Sequence, residues 1–150
     1  MRHYCTFLLC GLLFFGLSGK GFAQENHGNT LNAFVGFGNH PSISANYEFS
    51  VHPDITVSPE ARIWFSGDNN LAVGARGDYY FDRIFNLAEP WDIWGGLDAG
   101  FIISGNDDKD SLNLNLHIGG EYKFDDMWGI ILEIGGGTSV AGGLGVGIHF

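Results

Sequence analysis

The stretch Ser111–Phe124 reads SLNLNLHIGGEYKF and separates its side chains into two faces that do not mix. Every second residue of the stretch, from Leu112 to Phe124, is apolar, aromatic or glycine, and these residues form one face. The other face carries the polar and charged residues. Successive side chains of a β-strand point to opposite faces of its sheet, whereas a helix repeats about every 3.6 residues. The stretch is therefore predicted to be a strand with one apolar and one polar face.

The same period of two recurs along the chain. The predicted strands are Thr30–Gly38, Ser42–Val51, Ile55–Ser66, Leu71–Asp82, Trp91–Ser104, Ser111–Phe124, Trp128–Gly136 and Ser139–Phe150. Turn-forming residues such as Asn39-His40-Pro41 separate them, and nearly all of the breaks are short enough for hairpins. Hairpin-linked strands in one sheet leave two exposed edges unless the first strand pairs with the last. We therefore predict an all-β fold, an eight-stranded antiparallel up-and-down barrel.

The first 23 residues are predicted to be a secretory signal peptide. They show a short basic start, an apolar stretch too short to cross a bilayer as a helix, and small residues before a cleavage site after Ala23. Both cysteines, Cys5 and Cys10, belong to this segment. The barrel, predicted over residues 24–150, therefore has no disulfide.

Composition excludes several classes of protein. The chain has 150 residues, 24 of them glycine, only 16% charged residues and a formal net charge of −10. A nucleic-acid partner is not predicted, because binding to a phosphate backbone requires clustered Lys and Arg. After the signal peptide there is no apolar run of the length that a transmembrane helix needs, and the frequent glycines disfavour helices in general.

Alternation alone leaves open which face of the barrel points outward. An inward apolar face predicts a secreted or periplasmic soluble barrel of lipocalin-like or avidin-like type that binds a small hydrophobic ligand. The cavity of that carrier would be lined by Val73, Leu97, Leu112 and Leu114. An outward apolar face predicts a membrane barrel.

Three features favour the outward arrangement. The apolar face is almost free of charge, and the glycines of the polar face suit a narrow, crowded interior. Aromatic residues of the apolar face also gather at the rim that carries the C-terminus, as an interfacial girdle does. The predicted girdle comprises Tyr79, Phe81, Trp91, Tyr122, Phe124, Trp128 and Phe150.

The polar face then lines the interior and holds charges of both signs. Eight residues are predicted to form a hydrated ionic network that fixes strand register: Glu60, Arg62, Arg76, Asp78, Asp98, His117, Glu121 and Glu133. Opposite charges stand two residues apart in the pairs Glu60–Arg62, Arg76–Asp78 and Glu121–Lys123.

Hairpin geometry and barrel size refine this interior. If the hairpin at Gly67–Asn69 is tight, Glu60 lies across from Arg76, and if the one at Asp125-Asp126 is tight, His117 lies near Glu133. An eight-stranded barrel is just wide enough for its own side chains, so no open pore is predicted. A path for protons or cations along the surplus acids is the alternative.

No motif predicts an enzyme, a cofactor or a metal site. The glycine-rich residues 142–147 lack the Lys-Ser/Thr of a phosphate-binding loop, and residues 106–110 lack the Gly and distal Glu of an EF-hand. His117 and Glu121 share a strand face but would lie about 13 Å apart, too far to bind one metal ion. We therefore predict no catalytic, cofactor-binding or metal-binding residues.

The last predicted strand alternates up to a final aromatic residue, VAGGLGVGIHF over Val140–Phe150, and resembles the C-terminal insertion strand of bacterial outer-membrane proteins. Asp78–Asp82 and Glu89–Phe101 resemble small outer-membrane barrels of the OmpX and OmpA transmembrane type, particularly those of Bacteroidetes. The resemblance implies a barrel in outer-membrane lipid, inserted by the barrel-assembly machinery, with both termini in the periplasm, no cofactor and usually no enzymatic activity.

One departure from that family concerns the connections. The longest one, Asp82–Pro90, falls on the periplasmic side, and the outward loops are short. We therefore expect a structural or surface-interaction role without protruding adhesive loops, and the sequence names no ligand or protein partner.

Overall fold

The computed structural model of the protein describes residues 27, 29–38, 40–65, 70–104, 111–138 and 142–150, so the predicted signal peptide lies outside the described residues. The chain forms one short helix, α1 (Asp82–Phe85), and the strands β1 (Thr30–Phe37), β2 (Ser42–His52), β3 (Ile55–Trp64), β4 (Asn70–Tyr80), β5 (Trp91–Ser104), β6 (Ser111–Lys123), β7 (Trp128–Gly137) and β8 (Gly142–His149). No helix among the described residues is long and apolar enough to cross a membrane.

Consecutive strands pair antiparallel, and β1 pairs with β8, so the sheet closes into a barrel. The closing ladder runs from Thr30 opposite His149 to Phe37 opposite Gly142. The predicted eight-stranded up-and-down barrel is confirmed. We call the end where β1 begins and β8 ends the terminal rim, and the opposite end the far rim.

The connection between β4 and β5 at the terminal rim contains α1, which the alternation pattern does not predict. Strand β4 ends at Tyr80, before the predicted end at Asp82. The side chain of Asp82 accepts the backbone N–H of Ile93 at 2.9 Å, which anchors the start of the helix to β5. Asn86 follows in the left-handed conformation, with φ of 51°, and ends the helix.

The two faces of the strands have opposite chemistry. Outward residues are apolar and exposed, as at Leu116, whereas inward residues are mainly polar and buried, as at Arg76 and Asp78. Among the described residues, the buried apolar side chains are Phe34, Trp64, Ala72, Tyr80, Trp94 and Ile131. The barrel therefore has an apolar exterior and a polar lumen, the reverse of a soluble globular protein. The predicted outward apolar face is confirmed.

The same burial pattern rules out the soluble-carrier alternative. The residues that would line its cavity are all on the exterior, where Val73 is 41% and Leu112 60% exposed. Leu97 and Leu114 are exposed in the same way. An apolar ligand would therefore find no apolar cavity in the positions that this alternative requires.

Candidate functional site

The centre of the lumen is occupied by Arg76. Its Nε donates to Asp78 Oδ2 at 2.6 Å, and its Nη2 lies 2.7 Å from Glu133 Oε2 on the opposite wall. The guanidinium also lies 5.7 Å from the ring centroid of Phe34. A buried guanidinium with two carboxylates is stabilised by charge-assisted contacts that the low-dielectric interior strengthens.

His117 extends this cluster toward β5. Its Nε2 lies 2.6 Å from Asp78 Oδ1, and its Nδ1 lies 3.6 Å from Asp98 Oδ2. The amide of Asn115 donates to Asp98 Oδ1 at 2.7 Å. Asp78 thus contacts both Arg76 and His117, and the cluster links strands β4, β5, β6 and β7.

Two glycines make room for this crowded interior. A Cβ at position 96 would overlap Asp78 Oδ1 and His117 Nε2, and a Cβ at position 119 would lie 2.5 Å from Trp94 Cε2. Only glycine lets these larger side chains occupy the lumen at those levels.

Toward the far rim, Arg62 Nη2 donates to Glu60 Oε1 at 2.5 Å. Two small pockets, both partly open to solvent, have Arg62 in their lining.

Toward the terminal rim, Glu48 is bound by neutral donors. Tyr80 Oη donates to Glu48 Oε2 at 2.8 Å, and Asn32 Nδ2 donates to Glu48 Oε1 at 2.7 Å. Stacked on Tyr80 lies the ring of His27, with a centroid distance of 4.0 Å and an interplanar angle of 8°. His27 precedes β1, and no spacing or motif in the sequence indicates that it enters the lumen.

Glu121 and Lys123, one of the opposite-charge sets of the polar face, have their short ion-pair contacts with other residues. Lys123 Nζ lies 2.7 Å from Asp92 Oδ2 instead, and Glu121 Oε1 lies 2.9 Å from His149 Nε2. Residues two apart on a strand are stacked along the barrel axis, so partners on neighbouring strands can be closer. His149 Nδ1 also lies 3.1 Å from Thr30 Oγ1, which connects the closing strands to β6.

The β3–β4 register is not the one that a tight hairpin at Gly67–Asn69 would give, so the prediction that Glu60 lies across from Arg76 is wrong. Glu60 lies opposite Gly74, and Arg76 lies opposite Ser58. The β3–β4 ladder ends at Trp64 opposite Asn70, and the backbone N–H of Phe65 donates to the carbonyl oxygen of Pro41 at 2.9 Å, which extends the β2–β3 ladder. The turn itself, residues 66–69, lies outside the described residues.

The β6–β7 hairpin shows a similar shift. His117 lies opposite Gly135 and has Asp78 and Asp98 as its ion-pair partners, whereas Glu133 lies opposite Gly119. The cause is the turn, where Asp125 Oδ1 accepts the backbone N–H groups of Met127 and Trp128 at 2.8 and 2.7 Å. This arrangement centres the hairpin on residue 126, so Glu133 is a diagonal neighbour of His117, two residues from the position directly opposite it on β7.

Aromatic residues lie on the outside of the terminal rim. The residues assigned to the girdle lie at strand ends on this rim: Tyr79, Phe81, Trp91, Tyr122, Phe124, Trp128 and Phe150. Trp91 and Tyr122 pack edge to face with centroids 4.8 Å apart, and Tyr79 and Phe81 do so at 5.2 Å. The first contact joins the neighbouring strands β5 and β6, and the second is between two residues at the end of β4.

One hydrogen-bonded set has the residue types of an acyl-transfer site. Thr30, His149 and Glu121 form a hydroxyl–imidazole–carboxylate chain at the terminal rim. Thr30 is only 2% exposed, so its hydroxyl offers no surface for a substrate. The arrangement closes the seam between β1 and β8 and ties it to β6.

No protein-family model matches the sequence, and a comparison with curated proteins found no similar one. Solved structures share the fold. A barrel from the de novo design of transmembrane β-barrels has a TM-score of 0.62 and 16% identity, over 85% of this chain and 98% of the other.

The N-terminal β-barrel domain of OprF from Pseudomonas aeruginosa has a TM-score of 0.55 and 17% identity, over 82% of this chain and 98% of that domain. A second designed barrel, solved by NMR in solution, has a TM-score of 0.52 and 19% identity, over 83% of this chain and 94% of the other. This chain is therefore similar in fold to natural and designed barrels of eight strands.

Proposed function

We propose that the protein is an integral outer-membrane barrel with a structural or surface-interaction role. The observation that carries the proposal is the apolar exterior of a closed barrel whose strands direct their charged side chains inward. Apolar residues alternate outward on all eight strands, including Leu116 and Phe101, which are more than half exposed. Water solvates such a surface poorly, whereas lipid chains cover it without loss of hydrogen bonds.

Strand length supports a membrane span. The strands contain from 8 residues in β1 to 14 residues in β5. A tilted strand needs about 9–11 residues to cross the hydrocarbon core of a bilayer. The ring of aromatic residues at the terminal rim would then lie at one membrane interface, where their amphipathic side chains are favoured.

The filled lumen supports a role other than an open pore. Phe34, Tyr80, Trp94 and Ile131 form a buried cluster beside the ion pairs of Arg76. These side chains support a lumen that is closed between its two mouths, as expected for eight strands. Reconstituted in planar bilayers, the protein is expected to give no stable open-channel conductance.

Three parts of the proposal rest on the sequence. They are export by a signal peptide at residues 1–23, insertion by the barrel-assembly machinery and an orientation with the terminal rim in the periplasm. A closer relationship to OmpX-like barrels of Bacteroidetes also stays a prediction. A non-enzymatic role is supported by the burial of Thr30 in the set described above.

Cell fractionation tests the proposal. The full-length chain is expressed in a Gram-negative host, membranes are washed with urea or carbonate, and the pellet is run on SDS gels with and without boiling. We expect the protein in the outer-membrane pellet, with a band that shifts on heating. Recovery from the soluble periplasmic fraction would refute a membrane barrel.

A further inference from the structure

A second polar cluster lies inside the terminal rim, apart from the Arg76 ion pairs. It consists of His27, Asp82 and Asp92, which come from the segment before β1, from the start of α1 and from the start of β5. The three residues are buried, with 6%, 4% and 3% of their surfaces exposed. One ligand atom from each lies within 4.8 Å of the other two.

The imidazole of His27 lies close to the carboxylates of Asp82 and Asp92. His27 Nε2 lies 3.6 Å from Asp82 Oδ2, and His27 Nδ1 lies 3.9 Å from Asp92 Oδ2. Both distances exceed the usual range for a hydrogen bond. These two distances use different nitrogens of the imidazole ring, and a metal ion binds only one of them. With one ligand atom from each residue, the three atoms lie within 4.8 Å of one another. Ligand atoms that each lie about 2.0–2.2 Å from one metal ion are roughly 3–4 Å apart, so the side chains would close in by about 1 Å to coordinate it.

The side chains of the cluster are also held in place. The ring of His27 is stacked on Tyr80, whose hydroxyl donates to Glu48. Asp82 uses Oδ1 to accept the N–H of Ile93, which directs its other oxygen toward His27. Groups oriented in this way lose little freedom when they bind an ion.

Other histidine–carboxylate contacts of the described residues differ from this cluster. His117 Nε2 is already 2.6 Å from Asp78, which leaves no space for an ion between them. His52 lies 3.8 Å from Asp54, but its side chain is 55% exposed and it has a single carboxylate. The cluster at His27 therefore combines burial, two carboxylates and open separations.

We propose that His27, Asp82 and Asp92 bind one divalent transition-metal ion, for which Zn²⁺ is the best match. Zn²⁺ accepts imidazole nitrogen and carboxylate oxygen together, with three protein ligands and water in the fourth position. Ca²⁺ takes six to eight oxygen ligands, and Mg²⁺ requires an octahedral oxygen shell, so this set suits neither. The ion would tie the segment before β1 to α1 and β5 across the terminal mouth of the barrel.

Local charge favours a cation but moderates its affinity. Asp82 and Asp92 supply two negative charges, and Lys123 Nζ lies 2.7 Å from Asp92 Oδ2. With a neutral His27, one negative charge is in excess. Because the Lys123 ammonium repels a metal ion, Lys123→Met is expected to strengthen zinc binding.

The test uses the barrel refolded in detergent, stripped with a chelator and titrated with ZnCl₂ by calorimetry. We expect one Zn²⁺ per barrel, with His27→Ala and Asp92→Asn each weakening binding by about tenfold or more. His52→Ala is the matched control, because it removes a histidine that lies near an aspartate on the same rim. The zinc affinity of this variant should equal that of the wild type. Addition of CaCl₂ or MgCl₂ should not compete.

Heat-shifted migration on SDS gels shows whether each variant is folded. If Asp92→Asn fails to fold, His27→Ala decides alone, because residue 27 precedes the barrel strands. The proposal is overturned if the wild type binds no zinc, if His27→Ala binds as tightly as the wild type, or if His52→Ala loses as much affinity as His27→Ala. Since the measurement is made in detergent, it is independent of where the barrel resides in the cell.

Discussion

Arg76 Nη2 lies 2.7 Å from Glu133 Oε2, an ion pair that spans the lumen between β4 and β7. These strands are not neighbours in the barrel, so the pair joins opposite walls. Asp78 and His117 extend the contact to β6. The interior is therefore cross-linked by charges where a soluble barrel has an apolar core.

Arg76→Leu should destabilise the folded barrel strongly. Removal of the guanidinium leaves the carboxylates of Asp78 and Glu133 buried without their cation, a change that costs about 3–5 kcal/mol in comparable buried pairs. Urea unfolding in detergent micelles measures the difference. Arg83→Leu is the control, since Arg83 is half exposed and its pair with Asp54 should contribute about 1 kcal/mol or less. Equal midpoints for the two variants would mean that the central ion pairs do not hold the barrel together.

Gly119→Ala should destabilise the barrel through overpacking. The added methyl group would meet the indole of Trp94 at 2.5 Å, and such insertions cost about 1–3 kcal/mol. Gly136→Ala is the matched control, because an added Cβ there meets no atom within 4 Å. Unfolding followed by tryptophan fluorescence compares the two. An unchanged midpoint for Gly119→Ala would indicate a lumen looser than the structure describes.

Leu116→Lys should destabilise the barrel in lipid, by an amount that depends on how deep in the bilayer the lysine lies. Leu116 lies outward near the middle of β6, where a lysine would cost ~2–4 kcal/mol, whereas Leu112→Lys near the far rim would cost ~0–1 kcal/mol. Folding into liposomes, measured at several urea concentrations, gives both values. If neither lysine changes stability, the exterior of β6 faces water.

His149→Ala should loosen the closing seam of the barrel. The ring of His149 connects Thr30 on β1 with Glu121 on β6, and its removal leaves a buried carboxylate short of a donor, at about 1–3 kcal/mol. Hydrogen exchange of the β1 and β8 amides should accelerate relative to those of β3 and β4. His52→Ala, at an exposed histidine, should leave all of these rates unchanged. Uniform acceleration around the barrel would contradict a local role at the seam.

The fold can be predicted from the sequence, because the two-residue alternation of a strand and the chemistry of its two faces are local properties. Alternation in Ser111–Phe124 defines a strand and its faces, and the scarcity of charge on the apolar face decides which side meets the environment. The barrel topology and the outward position of Leu116 follow from these features and are confirmed.

Partners inside the lumen are less predictable, because they depend on turn geometry and on contacts across the barrel. His117 lies opposite Gly96 on β5 and contacts Asp78 on β4 and Asp98 on β5, an arrangement that sequence spacing alone does not give. His27 enters the lumen from outside the strands, where no periodicity exists to place it. Such contacts are set by the closed barrel as a whole.

The most direct test of the account is quenching of tryptophan fluorescence by brominated lipids. Trp64 and Trp94 are 5% and 2% exposed inside the lumen, whereas Trp91 and Trp128 are 55% and 38% exposed on the outer surface. A double variant Trp64→Phe/Trp94→Phe, which retains the two outer tryptophans, should be quenched in brominated bilayers. The variant Trp91→Phe/Trp128→Phe, which retains the two inner ones, should be quenched far less. Absence of quenching in the first variant, or equal quenching in both, would contradict a lipid-facing apolar exterior around a polar lumen.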